Sequence, residues 1–377
     1  MKIGIVCYPT YGGSGVVATE LGIALAKKGH EVHFITYNQP VRLNALSNNI
    51  HFHEVFVEEY PLFHYQPYEL ALSSKLVAMV KLHDIELLHV HYAIPHAYAA
   101  YMAKQMLKAD GIHIPFVTTL HGTDITLVGS HPNYKNAVEF SINNSDAVTV
   151  VSESLKKDTL RLFNIKKDIK VIYNFIDFDK YDSLDNEPCL RGNLANEDER
   201  IITHISNFRP VKRIPDVIDV FYKTQQKIKA QLLMVGDGPE RDAAEKKSME
   251  LGIADHVKFL GNSVELAKIL CLTDLFLLPS QTESFGLAAL EAMAAKTPVI
   301  SSNSGGLPEV NLEGKTGFLS DVGDTDAMAK NAIYLLSDDE RLETFKNNAY
   351  QFAKRFTIDK ILPEYEEVYR MVKEGCC

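Results

Sequence analysis

The feature that most constrains this chain is a repeated alternation of short apolar runs with longer amphipathic segments. In the first half, strands are predicted at KIGIVCY, EVHFIT, IHFHEVFV, IELLHVHY, PFVTTLH, AVTVV and IKVIYN, with helices such as 15–28, 68–83, 96–108 and 134–144 between them. From residue 200 the alternation restarts with RIITHISN, AQLLMVGD, HVKFLGN, DLFLLPS, TPVISSN and TGFLSDV. Apolar strands that alternate with helices predict α/β structure, in which helices cover both faces of parallel sheets.

The segment 175–199 interrupts this alternation. It is rich in Asp, Asn and Glu and lacks a clear period, which is typical of a connection between domains. We therefore predict two doubly wound, Rossmann-like domains that face each other across a cleft, over 1–175 and 200–356, with 176–199 as the linker. In such sheets ligands bind at the carboxyl ends of the strands, where the loops run into helices.

Composition narrows the classes of function. The formal net charge of −10 and the pI near 5.8 argue against a nucleic-acid partner bound through a broad basic surface. No apolar run approaches the ~18 residues of a membrane helix, so no membrane association is expected. The five cysteines form no zinc-site spacing and suit a reducing, cytoplasmic setting, and Cys376-Cys377 is predicted to be a frayed tail.

The first motif is the glycine-rich loop after the first strand, CYPTYGGSGVVATELG. Gly12, Gly13 and Gly15 would let backbone approach a ligand, and Ser14 is predicted to cap the following helix, whose N-terminus favours an anion. Valine and alanine occupy positions 17 and 18, so the dinucleotide fingerprint is absent. A loop that contacts a phosphorylated ligand and a purely structural turn both remain open.

Histidines follow two later strands, in LLHVHYAIPH and TTLHGTD. His89 and His91 point to one face of their strand, and His121 ends the next strand in a loop where a polar ligand would be met. A metal site is one interpretation, but no third ligand has convincing spacing. A mixture of buried and cleft-lining histidines is the favoured one.

Positive charge is concentrated at the strand-to-helix loop in HISNFRPVKRIPDV. Arg209, Lys212 and Arg213 follow Asn207 there, and in an acidic protein this pattern favours a diphosphate clamp over a solvated surface run.

The stretch QTESFGLAALEAMA opens a segment of residues that favour helix, and it carries two acids, Glu283 and Glu291. Ser284 is predicted to lie close to the helix start, which leaves the backbone N–H groups of 285–287 free for phosphate. Glu291, two turns into that helix, would accept the paired hydroxyls of a ribose, and Glu283 would meet sugar hydroxyls ahead of it. The alternatives are an acid that suits the helix dipole at Glu283 and a solvent-side residue at Glu291.

These stretches together resemble the retaining glycosyltransferases of family 4, which have the two-domain GT-B fold. The resemblance rests on TESFGLAALEAMAAKTPVISSNSGGLPEVNLEGKTGFL and VGDGPE and covers nearly the whole chain. CYPTYGGSGVVATELG, HVHYAIPHA, TTLHGTDIT, VIYNFID and HISNFRPVKR are similar to members that transfer N-acetylglucosamine from UDP-GlcNAc to the hydroxyl of L-malate, the first step of bacillithiol biosynthesis. The resemblance implies that the reaction retains the configuration of the sugar and uses no metal or other cofactor. It also implies a C-terminal helix, about 357–377, that packs on the first domain.

The resemblance also implies roles for residues. Glu291 would bind the ribose, Glu283 the 3-hydroxyl region of the sugar, Lys212 and Arg209 the diphosphate, and His121 the sugar near the reacting carbon; the last four are the implied catalytic residues. Further donor-binding positions are Gly13, Ser14, Gly15, Asn207, Gly261, Asn262, Ser284, Phe285, Gly286 and Leu287. Asn207 stands where the wider family commonly has an arginine, and Arg209 is the implied replacement for that charge.

For the acceptor, the implied contacts are Ser14, Tyr92 and Thr119, with Arg42 for the malate carboxylates. The sequence leaves three alternatives: an isomerase related to UDP-GlcNAc 2-epimerases, a family 4 transferase with another acceptor, and a non-catalytic sugar-nucleotide-binding module. It also leaves the oligomeric state open, a homo-oligomer included.

Overall fold

A computed structural model describes residues 1–10, 13–41, 43, 48–59, 64–182, 191–263 and 265–375 of the chain. The chain divides into two compact units, one of Met1–Phe175 with Ile358–Cys377 and the other of Ile176–Thr357. Where it is described, the stretch 176–199 that we predicted as a linker belongs to the second unit. Arg191 shows why, since its guanidinium donates to the carbonyl of Leu272 and to the carboxylate of Asp274 within that unit.

The first unit is built on a parallel sheet of seven strands in the order β3-β2-β1-β4-β5-β6-β7. The strands are β1 Lys2–Val6, β2 Glu31–Thr36, β3 Ile50–Glu54, β4 Leu87–His91, β5 Phe116–Leu120, β6 Ala147–Val150 and β7 Ile169–Val171. The helices are α1 Ser14–Lys27, α2 Tyr68–His83, α3 Tyr98–Ala109, α4 Pro132–Asn144 and α5 Glu153–Leu162. The C-terminal helix Ile358–Glu374 also belongs to this unit, where Tyr369 Oη lies 2.7 Å from His89 Nδ1.

The second unit has a parallel sheet of six strands in the order β10-β9-β8-β11-β12-β13. The strands are β8 Arg200–Ile205, β9 Ala230–Val235, β10 Val257–Gly261, β11 Leu275–Leu278, β12 Val299–Ser302 and β13 Gly317–Ser320. The helices are α6 Asp179–Asp182, α7 Ile214–Gln225, α8 Arg241–Glu250, α9 Leu266–Cys271, α10 Leu287–Ala294, α11 Leu307–Val310, α12 Thr325–Leu336 and α13 Asp339–Ala353, and the C-terminal helix of the first unit is α14. The two predicted parallel sheets are confirmed.

Apolar strand residues form the core because each sheet is covered on both faces. In the second unit Ile202, Leu232 and Leu275 of three neighbouring strands pack with Val217 of α7 and Met328 of α12, all nearly inaccessible to solvent. Burial of each such side chain contributes about 1.5–3 kcal/mol relative to exposure. This rigid layer fixes where the loops at the strand ends lie.

The strand order identifies one switch point in each sheet. β1 lies between β2 and β4, and β8 lies between β9 and β11, so the chain leaves the central strand in opposite directions. The loops that follow these strands flank the crevice in which open α/β sheets bind ligands. Within the described residues, no helix combines the length and apolar character needed to span a bilayer.

Candidate functional site

The loop after β8 carries the predicted cations and is held by a buried phenylalanine. Phe208 is fully buried with a φ of 29°, and its carbonyl accepts a hydrogen bond of 2.9 Å from the backbone N–H of Glu240. The side chains of Asn207 and Arg209 on either side of it are exposed. The Arg209 guanidinium makes no hydrogen bond or ion pair with the residues that the structure describes, so it remains available to an anion.

The three predicted cations separate into different roles. Lys212 Nζ lies 2.5 Å from Oε1 of Glu283, and the two side chains are only 21% and 14% exposed. Arg213 instead donates from Nε to Asp216, 2.6 Å away, at the start of α7. Arg213 is thus held by its own helix, and the predicted diphosphate clamp stays a prediction for Lys212 and Arg209.

Glu283 is positioned by the loop after β11. Its Oε1 accepts from Ser280 Oγ at 2.8 Å as well as from Lys212. The backbone N–H of Gln281 donates to the carbonyl of Val211 at 2.8 Å, which ties the two loops together. Glu283, predicted to bind the sugar, and Lys212, predicted to bind the diphosphate, thus meet at the switch point of the second sheet.

The glycine pair Gly305-Gly306 supports Glu283 from behind. Gly306 N–H donates to the Glu283 carbonyl at 2.8 Å, and a Cβ atom on Gly305 would lie 2.0 Å from that carbonyl oxygen. Gly305 also has a φ of +60°. Only glycine allows so close an approach, which gives a physical reason for this part of the sequence pattern.

The helix that holds Glu291 begins later than predicted. We expected its start near Ser284, but α10 starts at Leu287, because Gly286 has a φ of 97° and lies where a Cβ would meet Leu307 at 2.7 Å. The free N–H groups at the start of the helix are therefore those from Leu287 onward, since Leu290 makes the first helical bond, to the Gly286 carbonyl. The prediction of 285–287 was displaced by two residues.

Glu291 is consequently the fifth residue of α10, one turn into the helix rather than two. Its residue exposure is 8%, so the alternative of a solvent-side acid is wrong. Phe285 is also buried, with its ring 5.7 Å from that of Phe356, and only its backbone can face a ligand. Ser284 and Leu287 are half-buried, which suits contacts to a donor.

The sequence analysis missed a buried histidine, His204, which lies near Lys212 and Glu283. His204 of β8 places Nδ1 2.9 Å from the Leu277 carbonyl and Nε2 2.7 Å from Ser206 Oγ. Burial and, to a smaller extent, the charge of Lys212 lower the pKa of His204 to about 4, against the opposing effects of the hydrogen bond to the Leu277 carbonyl and of the Glu283 charge. It is neutral at pH 7 and links β8 to β11. Because one partner is the backbone carbonyl of Leu277 on a neighbouring strand, no local spacing in the sequence could have found it.

The end of β10 and the loop after it hold Gly261 and Asn262, two of the predicted donor-binding residues. Gly261 accepts a 2.8 Å hydrogen bond at its carbonyl from Gly236 N–H, which joins the loops after β9 and β10. Asn262 is exposed beside it. Both are placed at the carboxyl end of the sheet, and their predicted role remains a prediction.

In the first unit, the predicted cap of α1 is wrong. Ser14 is the first residue of the helix and Gly13 is the residue before it, with no side-chain hydrogen bond to the helix end. The Ser14 hydroxyl instead lies 2.7 Å from Tyr92 Oη, which brings together two of the predicted acceptor residues. Gly15 is buried directly behind them, against the Tyr8 carbonyl.

The strand-end histidines form a buried chain. His91 Nδ1 lies 2.8 Å from His121 Nε2, and the His96 ring bonds the His91 carbonyl. Burial lowers the pKa of His121 to about 3, with a smaller contribution from His96, so the ring is neutral at pH 7. Among the described residues, His89 and His91 belong to no group of three metal-ligating side chains, so the metal interpretation of this motif finds no support.

Thr119 is enclosed within the sheet. Its hydroxyl lies 2.7 Å from His89 Nε2 and 2.6 Å from Thr149 Oγ1, and the residue is fully buried. The structure does not bring it to an open surface with Ser14 and Tyr92. Arg42, the other predicted acceptor contact, lies outside the described residues, as does the Cys376-Cys377 tail.

Asp124 is a second residue that the sequence analysis did not assign. Its carboxylate accepts from the backbone N–H groups of Ala93, His121 and Gly122 at 2.9, 3.2 and 3.0 Å. Burial raises its pKa to about 6 against the lowering effect of these bonds. It fixes the loop after β5 against the loop after β4.

Comparisons with known proteins agree with this geometry. Residues 11–180 match the model described as Glycosyltransferase Family 4, and residues 187–352 match that of Glycosyl transferases group 1. The chain is 48% identical over 370 residues to N-acetyl-alpha-D-glucosaminyl L-malate synthase of Bacillus anthracis, which covers 98% of this chain and 96% of that protein. It is 30% identical over 396 residues to an uncharacterized glycosyltransferase of Methanocaldococcus jannaschii, with 99% of each covered.

Solved structures of the same fold include sucrose-phosphate synthase from Thermosynechococcus elongatus, with a TM-score of 0.82, 21% identity and 100% of both chains covered. They also include Anabaena HepE in complex with UDP and glucose, with a TM-score of 0.82, 21% identity and 98% and 99% covered. At these identities the likeness is one of fold, and it confirms the predicted GT-B architecture.

Proposed function

The chain belongs to the family 4 glycosyltransferases, and we propose that it transfers N-acetylglucosamine from UDP-GlcNAc to the hydroxyl of L-malate with retention of configuration. The observation that carries the chemistry is the Lys212–Glu283 pair, which joins the loops after β8 and β11 at 2.5 Å. The transferred sugar and the acceptor are proposed from the 48% identity to a protein whose name states both, and UDP as the carrier of the sugar is proposed from the resemblance of the motifs.

The second unit supplies the proposed donor site. As UDP leaves, negative charge grows on the diphosphate, and fixed cations lower the barrier by neutralising it. Lys212 has two further N–H donors beyond its bond to Glu283, and the Arg209 guanidinium is free of the described residues. We assign both to the diphosphate, together with the backbone N–H groups at the start of α10, from Leu287 onward, and propose that no metal is required.

The two acids take hydroxyls rather than protons in this proposal. Glu283 Oε1 accepts from Lys212 and Ser280, and its Oε2 has no partner among the described residues, so that oxygen is available to a sugar hydroxyl. Glu291 lies eight positions further along, buried in α10, and is assigned to the ribose. Asn207, Gly261 and Asn262 complete the nucleotide contacts at neighbouring strand ends.

The first unit supplies the proposed acceptor site around Ser14 and Tyr92, whose hydroxyls are 2.7 Å apart. The neutral ring of His121 next to them is assigned to the sugar, since it can donate or accept a hydrogen bond without adding charge. Glu283 is engaged in an ion pair with Lys212 and is a poor candidate for a nucleophile, so we propose that malate attacks the sugar directly. The leaving phosphate oxygen then takes the proton of the malate hydroxyl.

The test is UDP release from UDP-GlcNAc with and without L-malate, with the product mass measured. We expect release to depend on L-malate, to fall strongly with D-malate or L-lactate, and to survive EDTA. Equal release without malate would contradict the acceptor, and formation of N-acetylmannosamine from UDP-GlcNAc alone would replace the transferase with the isomerase alternative. A donor preference for GDP-mannose would contradict the donor.

A further inference from the structure

A second group of histidines lies in the first unit, away from the strand ends described above. His33 of β2 is paired in register with His51 of β3, and His53 lies two residues further along β3. His83 ends α2 and completes the group. The rings of His33, His53 and His83 lie 4.8–5.2 Å apart between centroids, and the ring of His51 lies 4.7 Å from that of His33, so four imidazoles share one small volume.

The nitrogen positions in this group are those of ligands around one ion. One ligand atom each of His33, His53 and His83 lies within 4.8 Å of the other two. His33 Nδ1 and His53 Nε2 are 2.9 Å apart. Two nitrogens bound to one tetrahedral Zn²⁺ at ~2.0–2.1 Å would be separated by ~3.3 Å, so these rings need to part by only ~0.4 Å.

A carboxylate fixes the tautomer that such a site needs. Glu31 Oε1 lies 3.1 Å from His33 Nε2, and a carboxylate can only accept there, so Nε2 carries the proton and Nδ1 of His33 keeps its lone pair. His53 then donates from Nε2 to His33, and it must carry its proton on Nδ1 instead when Nε2 binds a metal. This shift moves one proton between the two nitrogens of one ring and releases none.

We propose that His33, His53 and His83 form a Zn²⁺ site on the first sheet, with Glu31 as the positioning residue that orients His33. A carboxylate behind a ligating histidine is the usual arrangement of such sites, and imidazole nitrogens suit Zn²⁺ well. Water takes the fourth position. His53 and His83 are half-buried, which leaves a path for the ion.

Charged side chains flank the group on two sides. Lys75 contributes an unfavourable positive charge near His53, and the Glu31 carboxylate, 3.1 Å from His33 Nε2, offsets it from the other side of His33.

The location indicates a structural role rather than a catalytic one. Glu31 begins β2, and His83 ends the helix that leads into β4, so the group lies toward the amino ends of the strands. The candidate site uses the carboxyl ends. A metal here would fasten β3, the edge strand of the sheet, to β2 and to the end of α2.

The alternative ligand set is Glu31, His33 and His51, whose ligand atoms also lie within 4.8 Å of one another. It is the weaker set because His51 is 40% exposed at its side chain and lies 3.6 Å from Glu31. The two sets share His33, and they are separated by substitution of His83 or of His51.

The test uses the full-length chain without a histidine tag, carrying Cys376→Ser and Cys377→Ser so that the terminal thiols bind no metal. Calorimetric titration of the chelator-treated protein with ZnCl2 is expected to give one equivalent bound and a higher Tm. Co²⁺ is expected to give the visible absorption of tetrahedral coordination. Absence of Zn²⁺ binding would overturn the proposal.

Variants then assign the ligands. His53→Gln and His83→Gln are expected to weaken Zn²⁺ binding at least ~10-fold, and Glu31→Gln by ~10-fold while one equivalent still binds. His51→Gln and the exposed control His113→Gln are expected to bind as the parent does. Loss of binding in His51→Gln with retention in His83→Gln would overturn the ligand set, and loss in none of them would place the ion elsewhere and overturn the site.

Discussion

The substitution Gly305→Ala tests whether the position of Glu283 controls catalysis. The new Cβ would lie 2.0 Å from the Glu283 carbonyl oxygen, whereas real Cβ contacts are essentially never under 3.0 Å, so the two must separate by ~1 Å. The Lys212–Glu283 pair, at 2.5 Å, cannot keep its geometry through a displacement of that size. Misplacement of a substrate-positioning group by ~1 Å can reduce the rate ~100-fold, and we expect that loss in kcat/KM for UDP-GlcNAc.

Gly314→Ala is the matched control. Gly314 also has a positive φ, +68°, but no atom lies within 4 Å of its Cβ position. It incurs the same left-handed backbone conformation, about 1–2 kcal/mol, without the clash. We expect its free energy of unfolding to fall by about that amount and its kcat to stay within twofold of the parent.

The assay is malate-dependent UDP release, with chemical unfolding of each variant measured beside it. A folded Gly305→Ala chain with kcat/KM within threefold of the parent would refute the argument that Glu283 must be held in place. If Gly305→Ala does not fold, Glu283→Gln in the native backbone makes the same test, and full activity there has the same consequence.

Three further predictions concern Lys212 in the second unit and Tyr92 and His121 in the first. Lys212→Ala is expected to lower kcat ~100- to 1,000-fold while UDP still binds weakly. The control Arg213→Ala, in which the lost cation was paired with its own helix, is expected to keep kcat within a few fold of the parent. Unchanged turnover in Lys212→Ala would contradict the assignment of Lys212 to the diphosphate. Tyr92→Phe removes the hydroxyl 2.7 Å from Ser14 Oγ and is expected to raise KM for L-malate ~10-fold with KM for UDP-GlcNAc unchanged; an unchanged KM for malate would contradict the acceptor site. Burial lowers the pKa of His121 to about 3, so below about pH 6.5 the unfolded chain binds a proton that the folded chain does not. The free energy of unfolding is therefore expected to fall by up to ~1.4 kcal/mol per pH unit as the pH decreases below that value. Urea unfolding of His121→Asn should show a shallower dependence of the free energy of unfolding on pH.

The sequence predicted the sheets well because their signal is local. A strand such as β11 is a short run of apolar residues that are all buried, and burial on both faces demands that pattern. The ends of helices were predicted less well. α10 was placed too early because Gly286 is left-handed, and the side chain that would meet a Cβ there is Leu307, twenty-one residues later. Ser14 was taken as a cap although its hydroxyl lies 2.7 Å from that of Tyr92.

Residues that act through distant partners were outside the reach of sequence spacing. His204 could not be assigned because its partners include the Leu277 carbonyl of a neighbouring strand. The His33 group arises from strand register and from the end of a helix fifty residues away. Glu283 was found because its motif is local, but its pairing with Lys212 connects loops that are seventy-one positions apart.

That pairing constrains how the donor must bind. A diphosphate that reaches Lys212 does not have to displace Glu283, because the ammonium group has three N–H donors and one of them is used by Oε1. Oε1 is saturated by Lys212 and Ser280, so a sugar hydroxyl can only meet Oε2. One carboxylate would then hold the cation with one oxygen and the sugar with the other, and the distance from sugar to diphosphate is set by the length of a single side chain. Under the proposed function, the acid ahead of the helix binds the sugar and is not the nucleophile. Its Oε1 already accepts from two donors, and attack through that carboxylate would first have to break its contact with Lys212, the residue that we assign to the diphosphate.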